Sequence, residues 1–145
     1  MVAALAGADR ILHVGDHTEA FVIDLLEALA PTEAVAGNND PPALQERLGS
    51  SRVVQVEGIR IGMTHGHLGP GRTTPERAWR TFANADPPVH AIAFGHSHQP
   101  MIEQREDIWL LNPGSPTDKR RESTFSLLRV EVDGSEIRPE LVTWG

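Results

Sequence analysis

The sequence contains no cysteine. Disulfides, zinc–thiolate sites and thiol nucleophiles are thereby excluded, and the composition fits a reducing interior. Basic residues are also scarce, with 13 Lys and Arg against 20 Asp and Glu, so the formal net charge is −7 with the seven His taken as neutral. That balance argues against a basic face holding nucleic acid by neutralising backbone phosphates, and no stable nucleic-acid complex is expected. A phosphate substrate approached through metal ions remains compatible with it. No apolar run nears the roughly 20 residues of a membrane span. Met1 to Gly7 lacks the basic start and long apolar stretch of an export signal. The expectation is a soluble, cytoplasmic protein with no membrane partner. Its 145 residues, 39% of them hydrophobic, suffice for one domain over 1–145 with its own core.

The first half alternates strand and helix. Ile11 to Val14 is a short apolar run closed by Gly15-Asp16, a buried strand ending in a turn. From Glu19 to Ala30 the residues Phe21, Val22, Leu25, Leu26 and Leu29 recur at helical intervals, and the Phe21, Leu25 and Leu29 stripe reads as core packing. Glu33 to Ala36 is a second strand running into Gly37-Asn38-Asn39-Asp40. Asp40 followed by Pro41 and Pro42 suits an N-cap and the first turn of a short helix to about Leu48. Arg52 to Glu57 and Ile59 to Thr64 flank Gly58 as a hairpin. A helix follows from about Pro75 to Ala85, then a buried strand from Val89 to Phe94. The remainder, with strands near Met101 to Gln104, Ile108 to Leu111, Thr124 to Val132 and Glu136 to Thr143, reads as antiparallel, with Asp133-Gly134 as a hairpin turn. An α/β fold of two packed sheets with helices outside accommodates both halves.

Five polar residues, Asp16, Asn38, His65, His96 and His98, each sit just beyond an apolar strand-like run. In α/β sheets the carboxyl ends of strands form the ligand crevice. Carboxylate, amide oxygen and imidazole together suit a divalent ion such as manganese, iron or zinc. The simple alternatives are turn residues for Asp16 and Asn38 and exposed loop histidines for His96 and His98. His13 and His90 read as structural. Trp79, Trp109 and Trp144 read as core or interface residues, and Lys119, Arg120 and Arg121 as a solvated loop.

Gly15-Asp16, Gly37-Asn38-Asn39-Asp40, His65-Gly66-His67, Gly95-His96-Ser97-His98 and Asn112-Pro113-Gly114-Ser115, in that order, resemble the motifs of the calcineurin-like metallophosphoesterases, most closely their small bacterial and archaeal phosphodiesterase branch. Most of these motifs alone are weak evidence, the paired-histidine motif after a strand is moderate, and the ordered set is strong. The resemblance implies two facing mixed β-sheets flanked by helices, a four-layer sandwich. It implies a phosphoesterase, most plainly a phosphodiesterase, in which a metal-bridged hydroxide attacks phosphorus in line. Asp16 would bridge two metals, Asn38, His65 and His96 would complete one site, and His98 would join Asp16 at the other. Asn39 and His67 would contact substrate, and Asn112 to Ser115 would be a turn supporting the metal loops. Manganese is the implied ion, with iron, zinc or nickel as alternatives. A homodimer is suggested by the resemblance and by the apolar C-terminal strands.

Two departures from the family pattern stand out. The Asp-x-His that ends the family's first strand has no counterpart before Asp16, because Asp9 is followed by Arg10 and Ile11, and His13 lies within a strand. Val2 to Ala6 reads as the last turns of a helix with no strand before it. The expectation is therefore a fold lacking its first strand, whether the start is assigned too late, removed, or half of the dinuclear centre is lost; such a chain binds one metal firmly and catalyses weakly. In addition, Asn39 stands where many larger relatives carry a histidine that assists the leaving group. Its amide can hydrogen-bond a phosphate oxygen but cannot donate a proton as an imidazolium can. The competing expectation is a non-catalytic metal-binding domain or an interaction scaffold on the same fold, the role of the retromer subunit with this architecture.

Overall fold

The structure, a computed structural model, describes residues 9–15, 26–37, 40–67, 71–97, 99–114 and 125–144. Within them lie β1 (Ile11–His13), β2 (Thr32–Ala34), α1 (Pro42–Leu48), β3 (Ser51–Val56), β4 (Ile59–Thr64), α2 (Thr74–Phe82), β5 (Ala91–Ala93), β6 (Met101–Arg105), β7 (Ile108–Asn112), β8 (Phe125–Asp133) and β9 (Glu136–Trp144). Five strands form a mixed sheet in the order β3-β4-β5-β7-β6, while β1 pairs with β2 and β8 with β9. The α/β class with facing sheet layers and outer helices read from the sequence is the architecture found.

The two-residue period of the strands sorts their side chains into two cores. On one face, Ile59 and Ile61 of β4, Ala91 of β5 and Leu111 of β7 pack against Leu128, Val130 and Val132 of β8 and Ile137 of β9. On the other, Ile92 and Leu110 meet Ala78, Trp79 and Phe82 of α2. The layers are thus α2, the five-stranded sheet, and a facing layer supplied by the strand pairs. Burial of a side chain such as Ile59, Ile92 or Phe94, each nearly free of solvent contact, contributes about 1.5–3 kcal/mol. At the end remote from the carboxyl terminus of β4 the two hairpin turns dock together. There Glu57 Oε2 accepts the Gly134 N–H at 2.6 Å and the Gly58 N–H donates to Gly134 O at 3.2 Å. Glu33 of β2 accepts from Arg10 at 3.2 Å and from Arg52 of β3 at 2.6 Å, linking the small parallel sheet to the large one. Both pairs are about one third exposed, so this link adds at most about 1 kcal/mol per pair.

Several local expectations need correction. The C-terminal remainder is antiparallel at β8–β9 and β6–β7, but β7 runs parallel to β5, with Ala91 opposite Trp109 and Ala93 opposite Leu111. The run Ile108-Trp109-Leu110-Leu111 is apolar on both faces, which suits a strand covered from both sides. The mostly exposed β6 takes the edge instead. Asp40 does not cap α1: the N-cap position is Pro41, which has no side-chain cap. The buried Asp40 carboxylate turns back to accept the Gly37 N–H at 2.8 Å, because this tight turn leaves a buried backbone donor to satisfy. In the helix read over Glu19 to Ala30, residues 19–25 lie outside the described residues. Its last turn is present, with the Ala30 N–H donating to Leu26 O at 3.1 Å. There Leu26 and Ala30 are buried against Ile11, whereas Leu29, expected in the core, is 42% exposed.

α2 begins one residue earlier than read. Thr73 is its N-cap, its Oγ accepting the Glu76 N–H at 3.3 Å. Among the described residues no helix is long and apolar enough to cross a membrane. Gly62 of β4 fixes how closely α2 sits, since a Cβ there would lie 2.8 Å from the Phe82 ring. Gly62→Ala is expected to overpack this contact and lower unfolding stability by about 1–3 kcal/mol, read as a drop in the urea midpoint; a parental midpoint would contradict the packing described.

Candidate metal centre

β1 and β2 are parallel to each other, as are β4, β5 and β7. Each parallel set therefore delivers its strand ends to one side. Gly15 follows β1, Gly37 follows β2, His65 follows β4 directly, His96 follows β5 by three residues, and Asn112 ends β7. Close contacts join these ends. The Gly95 N–H donates to His65 O at 3.1 Å. A Cβ on Gly15, whose φ is +110°, would fall 2.6 Å from His65 Nδ1 and 2.7 Å from Gly37 N. Only glycine suits this position on both counts, conformation and space.

His65 is the anchor of the arrangement. Its side chain is 1% exposed, and Nδ1 lies 2.8 Å from the carbonyl oxygen of Val14. A carbonyl only accepts, so Nδ1 carries the proton and Nε2 of the neutral ring presents its lone pair; the tautomer follows from this hydrogen-bond assignment. That Nε2 faces His96 Nδ1 at 3.2 Å. His67, half-buried, completes a group of three imidazoles, its ring centroid 5.3 Å from that of His65 and 6.3 Å from that of His96. Arg77 of α2 donates from Nε to Gly71 O at 3.1 Å and from NH1 to His67 O at 3.5 Å, tying both residues to the helix.

The His96 backbone is unusual. Its φ is +64°, and the Ser97 N–H donates across it to Gly95 O at 2.8 Å, so His96 is the centre of a γ-turn with positive φ. A conformation of this kind costs about 1–3 kcal/mol and persists where the surroundings over-determine it, commonly at functional sites.

The donor set fits a divalent cation. Two imidazole nitrogens bound at about 2.0–2.1 Å to one tetrahedral ion stand roughly 3.3 Å apart, close to the 3.2 Å between His65 Nε2 and His96 Nδ1. Among the described residues no group of three His, Cys, Asp or Glu side chains converges as a metal site by itself. Of the other residues read as ligands or substrate contacts, Asp16, Asn38, Asn39 and His98 lie outside the described residues. Of their described neighbours, Gly15 lies against the His65 ring and Gly37, and Ser97 follows His96 directly. His13 accepts the Gly15 N–H on Nδ1 at 3.2 Å, and His90 accepts the Arg60 N–H on Nδ1 at 2.9 Å, so both have the structural role read from the sequence. The Val14 carbonyl was not identified from sequence, because a main-chain acceptor leaves no residue-type signal. The glycines flanking it, Gly15 and Gly95, were the available hint of close approach.

The profile of the calcineurin-like phosphoesterase superfamily domain matches residues 1–135, and the chain belongs to that family. A probable metallophosphoesterase of Methanothermobacter thermautotrophicus is 37% identical over 143 residues, covering 98% of this chain and 80% of the relative. A phosphodiesterase of Methanocaldococcus jannaschii is 27% identical over 118 residues, covering 73% of this chain and 66% of its own. Among solved structures, wild-type Vps29 of Entamoeba histolytica complexed with Zn2+ superposes with a TM-score of 0.70 at 21% identity, covering 93% of this chain and 82% of that one. The last likeness establishes the fold. At the level of the family, the chemistry is phosphoester hydrolysis and the ions are divalent metals.

Gly15→Ala is expected to displace the His65 ring from the Val14 carbonyl and to lower stability by about 1–3 kcal/mol through backbone strain. Ring 15N spectra of His65 together with thermal unfolding check this. An unchanged Nδ1–H signature at parental stability would contradict the close approach.

Proposed function

We propose that this chain is a metal-dependent phosphodiesterase. The observation that carries the reading is the convergence of His65 Nε2 and His96 Nδ1 at 3.2 Å, at the carboxyl ends of parallel strands, in a chain of the calcineurin-like phosphoesterase superfamily. The relative from Methanocaldococcus jannaschii that bears the name phosphodiesterase supports the diester as substrate class. On this reading Asp16, Asn38, His65, His96 and His98 hold the metal, and Mn2+ is the native ion. When bound, the divalent ion supplies Lewis-acid activation of the phosphoryl group and of water.

The chain's own residues act around that centre. His65 offers Nε2 because its other nitrogen is committed to Val14, so the ring need not reorient to become a ligand. Asn39 donates an amide hydrogen bond to a phosphate oxygen. His67, half-buried and beside both other rings, faces the substrate and orients its phosphoryl oxygens. With Asn39 in place of a histidine acid, the leaving group takes its proton from water, so diesters with good leaving groups react best. The reading further takes residues 1–145 as one domain working in the cytoplasm, supported by the absence of cysteine, with no nucleic-acid partner, supported by the net charge of −7. A homodimer through the β8–β9 hairpin is supported by Leu141, a large apolar side chain 40% exposed on β9.

An interaction scaffold on the same fold is the competing reading, supported by the likeness to Vps29. The paired imidazoles favour metal binding, and turnover is what separates the metalloenzyme from the scaffold, since the Vps29 structure of the same fold is itself complexed with Zn2+. Hydrolysis of a nitrophenyl phosphodiester by metal-stripped protein with Mn2+ added back separates the two. Activity is expected to return with Mn2+ and to fall in Asp16→Ala and His96→Ala by more than the roughly 10–100-fold typical of outer-shell changes. Metal uptake without turnover would favour a non-catalytic metal-binding domain or scaffold, and parental activity in both variants would refute the site.

A further inference from the structure

Asn112, at the end of β7, is 0% exposed, and its side-chain amide is fully engaged. Nδ2 donates to Gly95 O at 3.2 Å and to Ser97 Oγ at 3.1 Å, while Oδ1 accepts the Gly114 N–H at 2.9 Å. The NH2 group has two hydrogens, one for each acceptor. These acceptors belong to the residues on either side of His96, and Gly95 O is also the oxygen that closes the γ-turn by accepting the Ser97 N–H. One buried side chain therefore grips both ends of the strained turn that carries His96.

We propose that Asn112 is the positioning residue of this site: its amide holds the His96 turn at positive φ, and so keeps His96 Nδ1 directed at His65 Nε2. The inference rests on the reading of His65 and His96 as metal ligands and extends it to the residue that sets their spacing. The amide is required for its two-sided character. A carboxylate of the same shape would still accept the Gly114 N–H, but it would set an oxygen against the Gly95 carbonyl, where neither group can donate. Ser126 of β8 offers a contrast at the same turn. Its Oγ donates to Pro113 O at 2.7 Å, anchoring the turn to β8 without a hydrogen bond to the Gly95–Ser97 segment.

Asn112→Asp, Ser97→Ala and Ser126→Ala in the full chain test the proposal, each measured by thermal unfolding, by histidine ring 15N spectra of metal-free protein, and by calorimetric titration with Mn2+. Asn112→Asp is expected to remain folded, to lose the ring signature of a His96 Nδ1–H donated to His65, and to bind Mn2+ about tenfold or more weakly. Ser126→Ala is expected to lower the unfolding temperature while keeping both the parental ring signature and the parental affinity. If Asn112→Asp does not fold, Ser97→Ala decides, with a smaller loss of the same signature expected. Parental ring shifts and affinity in Asn112→Asp would overturn the proposal, as would equal losses in Ser126→Ala, because general loosening of the turn would then suffice. Should the parent take up no Mn2+, the metalloenzyme reading fails, and the metal-free ring spectra still decide whether Asn112 positions His96.

Discussion

The hydrogen bond from His65 Nδ1 to the Val14 carbonyl is the contact on which the geometry of the site depends. Its net contribution to stability is on the order of 1 kcal/mol, so its importance is directional rather than energetic. It joins the end of β4 in the large sheet to the end of β1 in the small one, and it commits one imidazole nitrogen as donor, leaving the other as a lone pair aimed at His96. Gly15 makes the approach possible by having no side chain where the ring must pass. Displacement of the ring would remove both the tie between the sheets and the direction of the lone pair.

Around that contact, rigid and strained parts have separate roles. β4 and β5 are central strands covered on both faces, so His65 and the residues leading to His96 start from fixed positions. The γ-turn at His96 then spends conformational free energy to swing the ring back toward His65, and Asn112 holds it there from the neighbouring strand. This division explains why a structurally ordinary element, the end of β7, bears on a centre to which it supplies no ligand of its own. It also explains why the corrected direction of β7 matters. Had this strand been an antiparallel edge, Asn112 would not lie beside the carboxyl end of β5.

Much of the fold was legible in the sequence. The apolar runs at Ile11, Ile59 and Ala91, and the Asp133-Gly134 turn, specified strands and a hairpin through periodicity and turn chemistry alone, and the ordered polar residues at strand ends specified where a site would form. The misreadings have identifiable physical causes. Ile108 to Leu111 gave a strand but not its direction, because direction depends on which neighbour covers the second apolar face. Asp40 was read as a cap from its position before two prolines, while the buried Gly37 N–H made the stronger demand on its carboxylate. Thr73 with Glu76 carried a capping signature that a start at Pro75 overlooked. The Val14 carbonyl and the positive φ of His96 had no residue-type signal, since backbone groups and strained dihedrals are set by tertiary packing. The motif marks Asn112 as support for the metal loops, but its grip on both sides of His96 is set by tertiary packing and leaves no sequence signal.

The central claim is that His65 and His96 direct two nitrogens at a single cation. Anomalous diffraction from crystals grown with Mn2+ tests it most directly. The account predicts an anomalous peak within bonding distance of both His65 Nε2 and His96 Nδ1, with the Val14 hydrogen bond to Nδ1 intact. A peak away from this pair, or His65 coordinating through Nδ1 with the Val14 carbonyl released, would contradict it.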